Sequence, residues 1–117
     1  MLLIKNMEIE DLTQKTCRAC EWFEKPMSLK ETVEYIKKVN NWEIDDSRSI
    51  SKEFEFKNFR EALEFVNKVG ILAEKEGHHL DINLYKYRKV KINPTTHAIN
   101  ELSENDFILA SKIDEFN

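Results

Sequence analysis

Glycine and proline are nearly absent: the 117 residues contain two of each, Gly70 and Gly77, Pro26 and Pro94. So few glycines exclude a glycine-rich phosphate cradle, which needs several positions where backbone can approach an anion without a Cβ in the way. The two cysteines form a single pair, Cys17-Arg18-Ala19-Cys20, with no second C-x-x-C and no histidine within fifty residues downstream to complete a zinc site. They read as reduced, structurally incidental thiols. No apolar run approaches the roughly 20 residues that cross a bilayer. The start, MLLIKNMEIEDL, turns acidic too early for a signal peptide, so a cytoplasmic location is the expectation. A basic excess is missing too. Eighteen Lys and Arg stand against 22 Asp and Glu, for a net charge of −4, so nothing supplies the stripe that a phosphate backbone requires. Direct nucleic-acid binding is not expected.

What is present is an ordinary globular composition, 41% hydrophobic and 34% charged. The length suits one domain with a modest core, and self-association would help to bury a pocket. Residues 1–27 lack sustained periodicity and read as an extended or loosely packed arm, pinned by Trp22 and Phe23 and closed by Lys25-Pro26-Met27. The domain proper runs over residues 28–117. Ser28-x-x-Glu31 is a capping box, and the helix it opens runs to about Val39 with Leu29, Val33, Ile36 and Tyr35 on one face. Trp42-Glu43-Ile44 begins a strand, Asp45-Asp46-Ser47 turns it, and Ile50 to Phe56 returns with Ile50, Phe54 and Phe56 on one side.

Asn58-x-x-Glu61 opens the longest helix, about Phe59 to Glu76. Its stripe is Phe59, Ala62, Leu63, Val66, Val69 and Ala73, widened by Phe65 and Leu72, and Gly77 ends it. From Asp81 to Asn93 the alternation predicts one long strand, with a bulge near Tyr85 to reconcile its two ends across Lys86 and Arg88. A short strand follows Pro94 through His97. Ser103-x-x-Asp106 then caps a last helix, about Glu104 to Phe116. The fold class is α+β: a four-stranded antiparallel sheet with three helices on one face, in the order α-β-β-α-β-β-α.

All three histidines fall between Glu74 and Asp106: His78 and His79 adjacent, His97 eighteen residues later. Histidine alone has an unperturbed side-chain pKa near neutrality, so a cluster can hold an acid and a base at once. Two other readings stand beside this one. His78 and His79 could serve only as cations at a helix C-terminus, with His97 a surface residue. Three imidazoles could also bind zinc, although adjacent histidines in an extended segment point to opposite sides. Ser103 and Ser111 fit capping and helix-surface roles better than nucleophilic catalysis.

Glu74-x-x-x-His78-His79, Tyr87 ten residues before His97, and Asp106 behind Leu102-Ser103-Glu104-Asn105 together resemble the signature of the pterin-4a-carbinolamine dehydratases. The likeness extends upstream. Asn41-Trp42 resembles the family's Gly-Trp, the stretch from Phe54 to Asn67 its strand-to-helix passage, and Leu12 to Cys20 the leader of many bacterial members. The resemblance implies an enzyme that dehydrates 4a-hydroxytetrahydropterin to quinonoid dihydropterin, without metal or organic cofactor, and a homotetramer. It implies His78, His79 and His97 as the active-site histidines, Glu74 and Asp106 as the acidic positions, Trp42 as a pocket aromatic, and Thr95 and Thr96 as hydroxyl residues before the third histidine. It also implies an alternative, a binding or assembly module, since members act as dimerisation cofactors or are linked to molybdenum-cofactor metabolism. The chain departs from the family pattern at Gly77, Leu80 and Glu101, and by one additional residue between His79 and His97.

Overall fold

The computed structural model describes residues 12–17, 27–45, 49–96 and 102–116. Cys20, Trp22, Phe23, Asp46, Ser47, His97 and Glu101 lie outside the described residues. Three α-helices and four strands follow one another: α1 Leu29–Ile36, β1 Glu43–Asp45, β2 Ser49–Glu55, α2 Phe59–Glu76, β3 Asp81–Tyr85, β4 Lys89–Asn93 and α3 Glu104–Asp114. The order α-β-β-α-β-β-α is the one expected. No helix among the described residues is long and apolar enough to cross a membrane.

The caps set the helix starts. Ser28 Oγ accepts the Glu31 N–H at 3.2 Å while Glu31 accepts the Ser28 N–H at 3.0 Å. Asn58 Oδ1 accepts the Glu61 N–H at 2.9 Å. Each bond satisfies a donor that the first turn leaves without a partner. The four strands form one antiparallel sheet in the order β1-β2-β4-β3. Its register pairs Ile44 with Ile50, Phe54 with Val90, Leu84 with Val90, and Ile82 with Ile92, which gathers these side chains on one face. The other face carries Glu53 opposite Lys91 and Glu55 opposite Lys89, and stays polar.

On the apolar face Ile50, Phe54, Val90 and Ile92 join Ala62, Phe65 and Val69 of α2 and Phe107, Ile108, Ala110 and Ile113 of α3 in one core. Helix α3 is buried on nearly all sides, from Asn105 through Ser111, as a central helix must be. The Tyr35 and Phe107 rings, 5.4 Å apart, join α1 to it. Each fully buried Phe, Leu or Ile contributes about 1.5–3 kcal/mol of transfer free energy, so α3 is where the fold's stability concentrates.

Four expectations are corrected. The long strand over Asp81–Asn93 is a hairpin: β3 and β4 pair without a bulge from Asp81 opposite Asn93 to Tyr85 opposite Lys89, and Lys86, Tyr87 and Arg88 form the turn. Core parity survives the turn because an odd, three-residue connection between Tyr85 and Lys89 puts Leu84 opposite Val90 and Ile82 opposite Ile92, even-numbered residues on both strands. The strand through His97 is reduced to a single bridge at Thr96. Leu29 and Val33 of α1 face outward, while Thr32, Tyr35 and Ile36 turn inward. The described part of the arm is packed rather than loose. Leu12 is 2% exposed within the core, and Lys15 Nζ meets Glu104 Oε2 at 2.6 Å, because α3 needs a cover on the side away from the sheet.

Candidate active site

The site begins at the end of α2. Gly77 adopts the left-handed conformation, φ +66°, and its N–H reaches Glu74 O at 3.2 Å while the His78 N–H reaches Ala73 O at 3.1 Å. This closure ties off two terminal carbonyls and swings the chain away from the helix axis. Glycine is at its least strained there. Asparagine and aspartate are the side chains that best tolerate this region besides glycine. Gly77 therefore sets the backbone path to the histidines.

The two imidazoles then diverge. His78 turns inward, with its side chain 7% exposed, and Nε2 lies 2.8 Å from Oδ1 of Asp106, which is fully buried. His79 turns outward at 68% exposure, and its Nε2 lies 2.9 Å from Oε1 of Glu74, itself 77% exposed. An open pair of this kind is worth little to stability, so its value is to orient the ring. Backbone capping and side-chain function are thus divided within His78: its N–H closes the helix and its imidazole reaches α3.

Asp106 sits in the first turn of α3, in a capping box with Ser103. Its Oδ2 accepts the Ser103 N–H at 2.9 Å and the Thr96 hydroxyl at 2.8 Å. Thr96 Oγ1 and Ser103 Oγ are 2.6 Å apart. A buried carboxylate must satisfy its lone pairs, and this one meets three groups on three chain segments. His78 Nδ1, by contrast, has no hydrogen-bond partner among the described residues. Thr95, half-buried, adjoins Thr96.

A second buried anchor lies two residues before His78. Glu76 Oε2 meets Lys112 Nζ at 2.7 Å and its Oε1 accepts the Cys17 N–H at 2.8 Å, which joins α2, α3 and the arm. Burial opposes the charge on Glu76, but the Lys112 and Cys17 hydrogen bonds outweigh it and hold the carboxyl below its usual range. The Cys17 thiol is pushed up to about 12, by burial first and by the Glu76 charge second. Cys17 is therefore an inert thiol at neutral pH.

The structure thus brings together His78, Asp106 and Thr96, and pairs His79 with Glu74. Trp42 is engaged at the opposite end of α3. Its Nε1–H donates to Asp114, its ring packs against Phe54 at 6.1 Å, and Lys52 salt-bridges the same Asp114 at 2.8 Å. Ser103, read from sequence only as a cap, is a member of the site network. The signal was in the S-x-x-D box, whose acidic member is the residue that meets His78. Glu76 and Lys112 carried no signal beyond being charges near a helix end.

Residues 25–116 match the family described as Pterin 4 alpha carbinolamine dehydratase. Among curated relatives, a protein of Alkaliphilus metalliredigens provisionally named pterin-4-alpha-carbinolamine dehydratase is 43% identical over 108 residues, 92% of this chain and 96% of that one. A protein of Halorhodospira halophila with the same provisional name is 47% identical over 105 residues, 88% of this chain and 94% of its own. Among solved structures, a transcriptional coactivator/pterin dehydratase from Brucella melitensis superposes with a TM-score of 0.72 at 28% identity, covering 78% of this chain and 97% of that one. A pterin dehydratase-like RuBisCO assembly factor of the alpha-carboxysome, at 22% identity and a TM-score of 0.54, shares the fold.

Proposed function

This chain belongs to the pterin-4-alpha-carbinolamine dehydratase family, and on that footing we propose that it is a hydro-lyase that dehydrates 4a-hydroxytetrahydropterin to quinonoid dihydropterin in tetrahydropterin recycling. The observation that carries this reading is His78: a nearly buried imidazole tied through Nε2 to a fully buried carboxylate, with Nδ1 left for a substrate. Loss of water from a carbinolamine needs a proton delivered to the departing 4a-hydroxyl and a proton withdrawn from a ring N–H. Imidazolium and imidazole supply both near neutral pH. In this reading His78 and His97 are the proton-transfer pair, and His79, biased by Glu74, mainly binds. Thr95, Thr96 and Asp106 line or support the pterin site, whereas Trp42, bonded to Asp114 at the far end of α3, is not assigned to it. The reaction, a proton added at one atom and removed at another, requires no metal or organic cofactor.

The reading includes a cytoplasmic, self-associating protein. Phe59, Leu63 and Ile71 of α2 present apolar surface at four- and eight-residue intervals, the last 70% exposed, and a partner copy would cover them. Size-exclusion chromatography with light scattering should give a dimer or tetramer, and monomeric elution refutes that part. Activity is tested by adding purified protein to freshly generated 4a-hydroxytetrahydropterin. Accelerated decay, lost in His78→Ala and His97→Ala, is the expected result, and no acceleration by the wild type refutes the enzyme. A second reading, a non-catalytic binding or assembly module, draws support from the 28%-identical solved relative described as a transcriptional coactivator as well as a pterin dehydratase. A stoichiometric protein partner in a pull-down, with no turnover, would favour it.

A further inference from the structure

We infer that Thr96 and Ser103 are positioning residues: their hydroxyls form a one-way chain of hydrogen-bond donors that ends on Asp106 and holds its other oxygen against Nε2 of His78, which leaves Nδ1 as the nitrogen free to exchange protons. The direction follows from bookkeeping. A carboxylate only accepts, so across the 2.8 Å between Thr96 Oγ1 and Asp106 Oδ2 the proton belongs to Thr96. A threonine hydroxyl has one proton. Across the 2.6 Å to Thr96, Ser103 Oγ must therefore be the donor. The Ser103 N–H adds a second donor to the same Asp106 oxygen at 2.9 Å. With Oδ2 engaged by two donors, Oδ1 faces His78 Nε2 at 2.8 Å and also needs a proton from it.

Nε2 therefore carries hydrogen, and Nδ1, which has no partner among the described residues, becomes the site of proton exchange. Thr96 and Asp106 are fully buried and Ser103 is nearly so, which keeps water from substituting for a lost hydroxyl. The chain also ties the end of the sheet to the start of α3, so the carboxylate cannot rotate without breaking bonds on two segments. Neither hydroxyl touches the reacting atoms. Both act through Asp106 on His78.

The test reads the tautomer directly and needs no substrate. Long-range 1H–15N spectra of the wild-type protein should show neutral His78 in the Nε2–H form alone. Thr96→Val, which keeps the volume and removes the hydroxyl, should give mixed tautomers, and its turnover should fall about 10- to 100-fold in kcat with KM nearly unchanged. Thr96→Ser should restore both. The inference is overturned if Thr96→Val keeps the wild-type spectrum and rate, or if Thr96→Ser is as damaged as Thr96→Val. Should Thr96→Val fail to fold, Ser103→Ala removes only the outer donor, and an unchanged spectrum and rate in that variant overturns the inference equally. The turnover arm rests on the dehydratase reading and the spectra do not: a wild-type protein with the Nε2–H signature and no turnover sinks the enzyme and leaves the positioning chain standing.

Discussion

His78 and Asp106, 28 residues apart in sequence, meet across 2.8 Å, and both side chains are shielded from solvent. The relationship sets the first prediction. In Asp106→Asn the amide oxygen should take the side that faces the Ser103 and Thr96 donors, because the amide nitrogen cannot accept from them. The nitrogen then faces His78 as a donor and forces Nε2 to become an acceptor, which moves the imidazole proton to Nδ1. A neutral His78 in that tautomer has no lone pair left for the substrate. We expect kcat to fall roughly 10²- to 10⁴-fold, the range spanned by loss of a general base and by tautomer reversal. Steady-state kinetics, with circular dichroism showing a retained fold, checks it.

Much of this arrangement was legible in residue order, and the rest failed for identifiable reasons. The boxes Ser28-x-x-Glu31 and Asn58-x-x-Glu61 placed the starts of α1 and α2, and Gly77 placed the end of α2, because each is a local hydrogen-bonding device. The histidines and Asp106 were visible as chemistry, but their sorting was not. Whether His78 or His79 turns inward depends on the Gly77 closure and on the position of α3, which are tertiary facts. Leu29 and Val33 matched a helical stripe as well as any core residue would, and nothing local says that a stripe faces outward. The hairpin between β3 and β4 was invisible because Lys86-Tyr87-Arg88 contains none of the residues that mark a turn.

That turn carries the second prediction. Lys86 and Tyr87 both take positive φ, 48° and 54°, and the Arg88 N–H closes back on Lys86 O at 2.7 Å. Left-handed backbone costs a side-chain-bearing residue roughly 1–2 kcal/mol, against about 0.5–1 kcal/mol of extra chain entropy lost by a glycine. Tyr87 is 62% exposed, so its ring contributes little burial. Tyr87→Gly should raise stability by about 0.5–1 kcal/mol, seen as a higher urea midpoint at unchanged slope. A lower midpoint would mean that the ring is held by contacts worth more than the strain.

The third prediction concerns Cys17. A thiol moved from its ordinary 9.0 to about 12 is ionised roughly 10³-fold less at pH 8, and the thiolate is the reacting species. In Cys20→Ser, iodoacetamide should therefore label Cys17 about 10³-fold more slowly than a free thiol in native protein, and at the free rate in urea. Peptide mass spectrometry over time reads both. Fast native labelling would show that the arm leaves α3.

The arm's anchor gives the last prediction, and its sign is fixed by Glu76. The carboxyl is held below its usual range in the folded protein because the Lys112 and Cys17 bonds outweigh the burial that opposes its charge. A depressed carboxylate contributes stability that is fully present above its unfolded value, about 4.3, and is lost as pH falls through the lower folded value. Glu76→Gln keeps the shape but removes the charge, and it leaves one of the two donors, Lys112 Nζ or the Cys17 N–H, facing an amide nitrogen that cannot accept. At pH 7 the variant should be less stable by about 1–3 kcal/mol, the worth of hydrogen bonds to a charged group. Below about pH 4.3 the wild type gives up this contribution and the variant has none to lose, so the two stabilities should converge. Urea midpoints of both proteins from pH 7 to pH 3 separate this from a packing effect: a gap that stays constant across that range would mean that Glu76 stabilises the junction of arm, α2 and α3 by shape rather than by charge.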